Sequence, residues 1–271
     1  MISAAIFTFN EEMNLPYCLQ SLKSCDDIVV IDSYSTDQTR EIAKSYGAKV
    51  FQHNFTGFGD QRMWALQNIS FRYPWVLILD ADEQVPPALW EEIKSRIASC
   101  QKDVAAFRLK RRFFWEDAWL RYANLYPSWV VRLIRVGKVT YINRGHAETQ
   151  SVDGKIEALK EDLIDKNHKG LAAWRQRQQR YAEEEACAEI SLDRNFCLAD
   201  LWSRDPLKHR ALWKILSRKL PCRGLCYFVY AYFLRGGWLD GWVGLRFCFE
   251  KARFQTLTAR LASKLKKSTA T

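Results

Sequence analysis

Apolar residues fall in short bursts along the first hundred residues, separated by stretches with helical spacing. Residues 4–9 predict a first strand. Leu15, Cys18, Leu19 and Leu22 then recur at three- and four-residue intervals, the spacing of one helix face. Residues 28–31 are short and wholly apolar, which predicts a second strand. A helix is expected over 36–45, with Ser35 or Thr36 as its cap and Gly47 as its stop. Residues 48–51 read as a third strand, 58–67 as a helix, 75–79 as a fourth strand and 87–98 as a further helix. Strands alternating with helices of about ten residues imply βαβ units and a mostly parallel sheet. Residues 104–110 and 129–135 read as two more strands. After about residue 155 the pattern turns helical, with one long amphipathic, charge-laced helix over 171–192. A glycine-rich dinucleotide fingerprint is missing.

The fourth strand carries the most chemistry. Trp75-Val-Leu-Ile-Leu79 runs directly into Asp80-Ala81-Asp82-Glu83. The carboxyl edge of an open α/β sheet is where such folds bind ligands. On an extended segment, residues two apart point the same way, so Asp80 and Asp82 can converge on one cation. Hard oxygen ligands suit Mg²⁺ or Mn²⁺ shared with substrate phosphates. The competing reading is helix entry, with an Asp capping the helix near Pro87.

Other polar clusters follow the same edge. Thr8, Asn10, Glu11, Glu12 and Asn14 come after the first strand, where an Asn and a carboxylate can meet a base or ribose; helix capping is the alternative. Asp32, Ser33, Ser35, Thr36 and Asp37 come after the second, and could equally form an Asx-turn. Gly57, Gly59, Gln61 and Arg62 open the third helix, and Arg62 either faces a diphosphate or is a solvated surface arginine. Beyond the sheet half, His146 offers a third metal ligand and Glu148 a general base.

In order and spacing these motifs resemble family 2 glycosyltransferases, most of all the lipopolysaccharide-core and exopolysaccharide β-glucosyltransferase-like branch. The likeness continues through Tyr126-Pro127-Ser128-Trp129, Arg132-Leu133, His146-x-Glu148 and residues 232–241. It implies a GT-A type, nucleotide-diphospho-sugar-binding α/β fold and an inverting mechanism. It also implies that Asn10, Glu11 and Asp32 contact the nucleoside, with Thr8, Asp37 and Gln61 beside them. Arg62 and Asp80 would lie near ribose and diphosphate. Asp82, with Asp80 and His146, would hold Mg²⁺ or Mn²⁺. Two positions depart from the pattern: Met63 stands where many relatives carry Asn, and Ser128 where many carry Asp after Tyr-Pro. If that Asp is the base elsewhere, the role must move. Glu148 is the first candidate here and Asp117, set among aromatics, the second; a solvated turn is the other reading of Glu116 and Asp117.

Charge divides the chain. Residues 1–100 hold eight Lys and Arg against thirteen Asp and Glu, a balance of −5 within a total of +10. The remainder is therefore at +15 and is expected to face something anionic. Residues 204–267 hold fifteen basic and three acidic residues, interleaved with aromatics. That composition suits the interface of an anionic bilayer; helices packed on the catalytic domain are the alternative. No apolar run reaches the ~20 residues of a spanning helix. The longest covers 225–234, and Gly236-Gly237 is expected to break the segment into two in-plane helices. Eight cysteines form no C-x-x-C pair or zinc spacing, which reads as reduced thiols. No leader is evident ahead of the first strand.

The expected organisation is a catalytic domain over 1–155, with its nucleotide-binding part at about 1–100 and its acceptor part at about 101–155. A helical, basic, membrane-associating region follows over 156–271. The expected activity moves a hexose, glucose first, from a UDP-sugar or other nucleoside-diphosphate sugar to a lipid-linked saccharide in lipopolysaccharide core or exopolysaccharide assembly. The expected location is cytoplasmic, peripheral on the inner membrane face, with no nucleic acid as partner. Polyprenyl phosphate as acceptor, a nucleotidyltransferase, and a non-catalytic basic membrane-binding protein are the rival readings.

Overall fold

A computed structural model describes residues 1–124, 126–144, 147–192 and 222–268. They form two compact units, one of residues 1–121 and 125–170, the other of 122–124 and 171–271.

The first unit is built on a nine-stranded sheet. Its strands are β1 (Ser3–Thr8), β2 (Ile28–Asp32), β3 (Lys49–Gln52), β4 (Trp75–Asp80), β5 (Glu83–Gln84), β6 (Val104–Trp115), β7 (Ala118–Trp119), β8 (Ser128–Arg135) and β11 (Lys155–Lys166). The hairpin of β9 (Val139–Arg144) and β10 (Ala147–Val152) stands apart. The order is β3-β2-β1-β4-β8-β6-β11-β5, with β7 folded back on β6. β3, β2, β1 and β4 are mutually parallel, and β8 enters antiparallel to β4.

Four helices belong to this unit: α1 (Leu15–Ser21), α2 (Thr39–Ser45), α3 (Phe58–Asn68) and α4 (Pro87–Ser99). Ile6, Leu77 and Leu79 pack with Leu15, Leu19, Leu89 and Ile93 on one face of the sheet. Ala5, Val29, Ile31, Val76 and Ile78 pack with Ala65, Ile69 and Tyr141 on the other. The central strands are thus buried on both faces, which is why they read as unbroken apolar runs.

Three expectations need correction. The segment after 155 is strand β11, paired parallel to β6, so the sheet unit extends to 170 rather than ending near 155. Its buried Leu159 and Leu163 are four apart, a spacing that one face of a strand and one face of a helix share. Second, α2 starts at Thr39 rather than Thr36. Asp37 Oδ1 accepts from Thr39 N at 3.0 Å, while Ser35 turns away to Asp32. Third, 139–152 forms a hairpin that the pattern did not predict.

The second unit contains α5 (Gly170–Leu192), α6 (Arg223–Val229), a π-helical turn (Tyr230–Leu234), a 3₁₀ turn (Gly237–Asp240) and α7 (Gly241–Ser268). Gly236 is left-handed at φ +76° and breaks the helical run where the sequence predicts it. Arg223 pairs with Glu189 at 2.6 Å, and Arg175 Nε donates to Glu250 at 3.0 Å. No helix among the described residues is long and apolar enough to cross a membrane.

Candidate active site

The chain runs outward through β1, β2 and β3, then returns to β4 on the other side of β1. The strand order therefore reverses between β1 and β4, and a crevice for ligands forms at such a point. Register aligns the strand ends: Thr8 lies opposite Asp32, and Phe7 opposite Asp80.

Beside that crevice the first two loops are tied together. Asp32 is fully buried. Its Oδ1 accepts from Thr8 Oγ1 at 3.1 Å and from Ser35 Oγ, and its Oδ2 accepts from Ser35 N at 2.9 Å. Asn10, at φ +54°, accepts from Thr36 N at 2.8 Å, and its own N–H donates to Ser35 Oγ at 2.8 Å. Asp37 Oδ2 accepts from Glu12 N at 3.2 Å. Gln61 is buried and donates to Ser33 Oγ at 2.6 Å. Asp32, Asp37 and Gln61 thus tie these loops together. The exposed surface beside them is aromatic. Phe9 follows β1 and Tyr34, at φ +60°, follows β2, and each is about half exposed. Neither stands out in the sequence, because an aromatic next to an apolar run reads as core.

A line of alternating charges crosses the mouth of the crevice. Arg62 is only 4% exposed and is therefore no surface arginine. It pairs with Asp80 Oδ1 at 2.9 Å and, through its other nitrogen, with Glu148. Its guanidinium lies 5.7 Å from the ring centres of both Phe7 and Tyr141. Arg132, on β8, takes Asp80 Oδ2 and also meets Glu83 at 2.7 Å. Arg111, on β6, reaches Asp165 at 3.3 Å. Burial pushes the Asp80 carboxyl up, but Arg132, Arg62 and Arg111 outweigh it and hold the group well below the usual carboxylate range. Burial also lowers Arg132, yet Asp80 and Glu83 carry it above its ordinary value. Burial, reinforced by the charge of Asp80, raises Glu83 despite Arg132. Sequence reading named Arg62 and Asp80 but missed Arg132, Glu83, Arg111 and Asp165. Two of these had a local signal: Glu83 closes the acidic run after β4, and Arg132 stands in the Arg-Leu pair after Tyr126-Pro127.

The geometry places Glu148 against Arg62. One of its oxygens pairs with Arg62, and the other is buried without a hydrogen-bond partner. Asp117 sits with Glu116 at the tip of the β6–β7 hairpin, both at positive φ as a two-residue type I′ turn requires. Its carboxylate is 83% exposed and pairs with Lys166 at 2.7 Å. His146 lies outside the described residues.

Asp82 is half-buried on the opposite side of the crevice, where residues 166–169 close over it. Its carbonyl accepts from Lys166 N at 2.9 Å, and its Oδ2 accepts from Asn167 Nδ2 at 3.0 Å. His168 N donates to Asn14 Oδ1 at 2.6 Å, and its ring stacks on Tyr17 at 4.0 Å. Lys169 pairs with Glu11 at 2.5 Å. Burial and Lys166 lower His168, whereas the charges of Asp117 and Asp82 oppose them. Burial raises Glu11 against the pull of Lys169, and the charge of Asp82 adds to the rise.

Among the described residues no three His, Cys, Asp or Glu side chains gather as a closed metal cage. Both Asp80 oxygens are engaged by arginines, and Asp82 is a second carboxylate two residues on. A hard divalent ion held by one or two carboxylates and completed by substrate phosphates fits that donor set.

Residues 3–157 match Glycosyl transferase family 2. The chain belongs to that family. It is 32% identical over 145 residues to the lipopolysaccharide core biosynthesis glycosyltransferase LpsC of Rhizobium meliloti (strain 1021), a match covering 52% of this chain and 53% of the relative. It is 37% identical over 111 residues to an uncharacterized glycosyltransferase of Rickettsia bellii (strain RML369-C), covering 40% of this chain and 37% of that one. The chain thus aligns with about half or less of these relatives. Among solved structures it is similar to the mannosyltransferase PcManGT from Pyrobaculum calidifontis in complex with GDP-Man and Mn²⁺. That similarity has a TM-score of 0.52 and 14% identity, and covers 96% of this chain and 86% of the other. At that identity it shows the shared GT-A fold alone.

Proposed function

We propose that this protein is an inverting hexosyltransferase that binds a nucleoside-diphosphate sugar in the β1/β4 crevice. The observation that carries this reading is Asp80, fixed between Arg62 and Arg132 at the point of strand reversal, with Asp82 two residues on. The arginines hold Asp80 ionised and keep the crevice mouth ordered, and Phe9 and Tyr34 offer flat surfaces to a base. Asp82 would hold Mg²⁺ or Mn²⁺, and His168 is the described histidine within reach of its charge. When bound, the ion neutralises charge on the departing diphosphate.

An inverting transfer needs one base to take the acceptor proton on the face opposite the leaving group. Asp117 is the candidate we take: its carboxylate is solvent-facing and pairs with Lys166, whose N–H donates to the Asp82 carbonyl. The acceptor we propose is a lipid-linked saccharide at the inner membrane face, which the basic second unit supports. UDP-glucose is the donor to test first.

Thermal unfolding with a panel of nucleoside diphosphates, with Mn²⁺ or chelator, tests donor binding. A metal-dependent rise with UDP or GDP is expected. Released nucleoside diphosphate would mark sugar transfer, whereas pyrophosphate would mark nucleotidyl transfer and overturn the proposal. Asp82→Ala is expected to fold normally and to lose turnover and the metal-dependent shift together. Full activity in that variant would remove Asp82 from its role.

A further inference from the structure

In the second unit, large apolar side chains gather at one place and face outward. Phe233, Leu234, Trp238, Leu239 and Trp242 are 59%, 76%, 55%, 50% and 70% exposed. Leu225, Val229, Tyr230 and Phe249 flank them in sequence and are also exposed. Isolated exposed apolar residues need no explanation, but nine within twenty-five positions do.

The segment that carries them is built rather than frayed. The π-helical turn Tyr230–Leu234 and the 3₁₀ turn Gly237–Asp240 are joined through left-handed Gly236, and Gly241 starts α7 at φ +66°. Close backbone packing fixes the turn. A Cβ at Gly244 would stand 2.2 Å from Gly237 O, and one at Gly237 would stand 2.7 Å from Ala231 O. Asp240 accepts from Tyr122 N at 3.0 Å and Ala123 N at 2.7 Å, so its carboxylate serves the turn. Ala231 and Cys248 fill the inside, which leaves the bulky residues outside. Such a turn holds its aromatic and aliphatic side chains out at little further entropy cost.

Charge identifies the partner. Between 223 and 249 the chain carries Arg235 and Arg246 besides Arg223, which is buried against Glu189, and its one acid, Asp240, is engaged as described. Arg253, Arg260, Lys264 and Lys266 continue along α7. Apolar residues with Trp and Tyr among them, bordered by arginines and lysines, match the headgroup and upper acyl region of an anionic bilayer. No described helix is long and apolar enough to cross a membrane.

We infer that the turn formed by Tyr230–Leu234 and Gly237–Asp240, with Trp242, is a wedge that enters the surface of an anionic membrane. This inference rests on the proposed membrane-facing role and gives it a location.

The test is flotation of the full chain with vesicles of phosphatidylcholine alone or mixed with phosphatidylglycerol. Two variants accompany the wild type: Leu234→Glu/Trp238→Glu/Trp242→Glu, and Lys264→Glu/Lys266→Glu. The UDP-dependent thermal shift, read in parallel, confirms that each is folded. The wild type is expected to float with the anionic vesicles, and the wedge variant to lose at least about tenfold in partition with its nucleotide shift retained. A wedge variant that floats like the wild type, while the lysine variant does not, would overturn the wedge and leave membrane binding to the tail of α7. Absence of wild-type flotation would overturn the wedge and the membrane-facing role together. If light scattering then showed a dimer that the wedge variant lacks, the patch would be an interface between copies of this chain.

Discussion

Arg132 shows how much one side chain can organise. It is 5% exposed and stands between Asp80 and Glu83. Removing one partner of a buried ionic group leaves the others uncompensated, at about 3–5 kcal/mol. Arg132→Met is expected to lower unfolding stability by about that amount, measured by urea denaturation. Asp27 offers a pH test far from the crevice. Burial raises its carboxyl, but Ser3 Oγ, Lys49 and the Arg72 N–H outweigh that and leave it below its ordinary value. A carboxylate with a depressed folded pKa contributes stability above its unfolded pKa, and loses it as pH falls through the folded value. Asp27→Asn is expected to cost about 1.5–3 kcal/mol at pH 7. The gap between variant and wild type should close as pH falls below about 3.9, the unfolded value. A gap that stays constant down to low pH would contradict the assignment.

At the level of elements, the placing of α3 matters most. Its buried residues include Gly59, Gln61, Arg62 and Ala65, so the helix turns polar groups as well as small ones inward. Its N-terminus is capped from β9: Asn143 Oδ1 accepts from Gly59 N at 2.8 Å and from Asp60 N at 3.3 Å. The glycine at 59 is required for that approach, since a Cβ there would lie 2.9 Å from Asn143 N and Ile142 C. Gly59→Ala is expected to destabilise by about 1–3 kcal/mol through overpacking, and Asn143→Ala by about 0.5–2 kcal/mol through the lost cap. Because Arg62 lies one turn into α3, both variants should also weaken nucleotide binding. Denaturation and UDP titration on the same samples check the pair.

On the scale of the whole molecule, charge is distributed unevenly along the chain. The acidic first hundred residues supply Asp80, Asp82 and Arg62, and the basic remainder supplies Arg111 and Arg132 to the same crevice and also includes the second unit with its exposed turn. Attraction to an anionic surface is screened over a length that shrinks from about 10 Å at 0.1 M salt to about 3 Å at 1 M. Rising salt should therefore weaken vesicle flotation strongly, while the ion pairs around Asp80, set in a buried cluster, keep the nucleotide shift largely intact. Parallel flotation and thermal-shift series in NaCl distinguish the two. Equal salt sensitivity would mean that nucleotide binding rests on long-range charge rather than on the crevice.

The central strands were legible in the chain because burial on both faces leaves continuous apolar runs, as in Val76 to Leu79. The acidic cluster after β4 was legible because Asp80 and Asp82 follow such a run directly. The glycine break after Leu234 was readable for an equally local reason. β11 was not, since Leu159 and Leu163 fit either period until pairing with β6 decides. Nor was the convergence of Arg62, Asp80, Arg132 and Glu83. Arg132, on β8, and Glu83, on β5, lie 49 residues apart and meet only once the sheet has closed. The same holds for His168 against Asn14, 154 residues apart. Local sequence records which residues a single element will bury. Which charges face one another depends on the order in which strands close the sheet, and only the tertiary structure decides that.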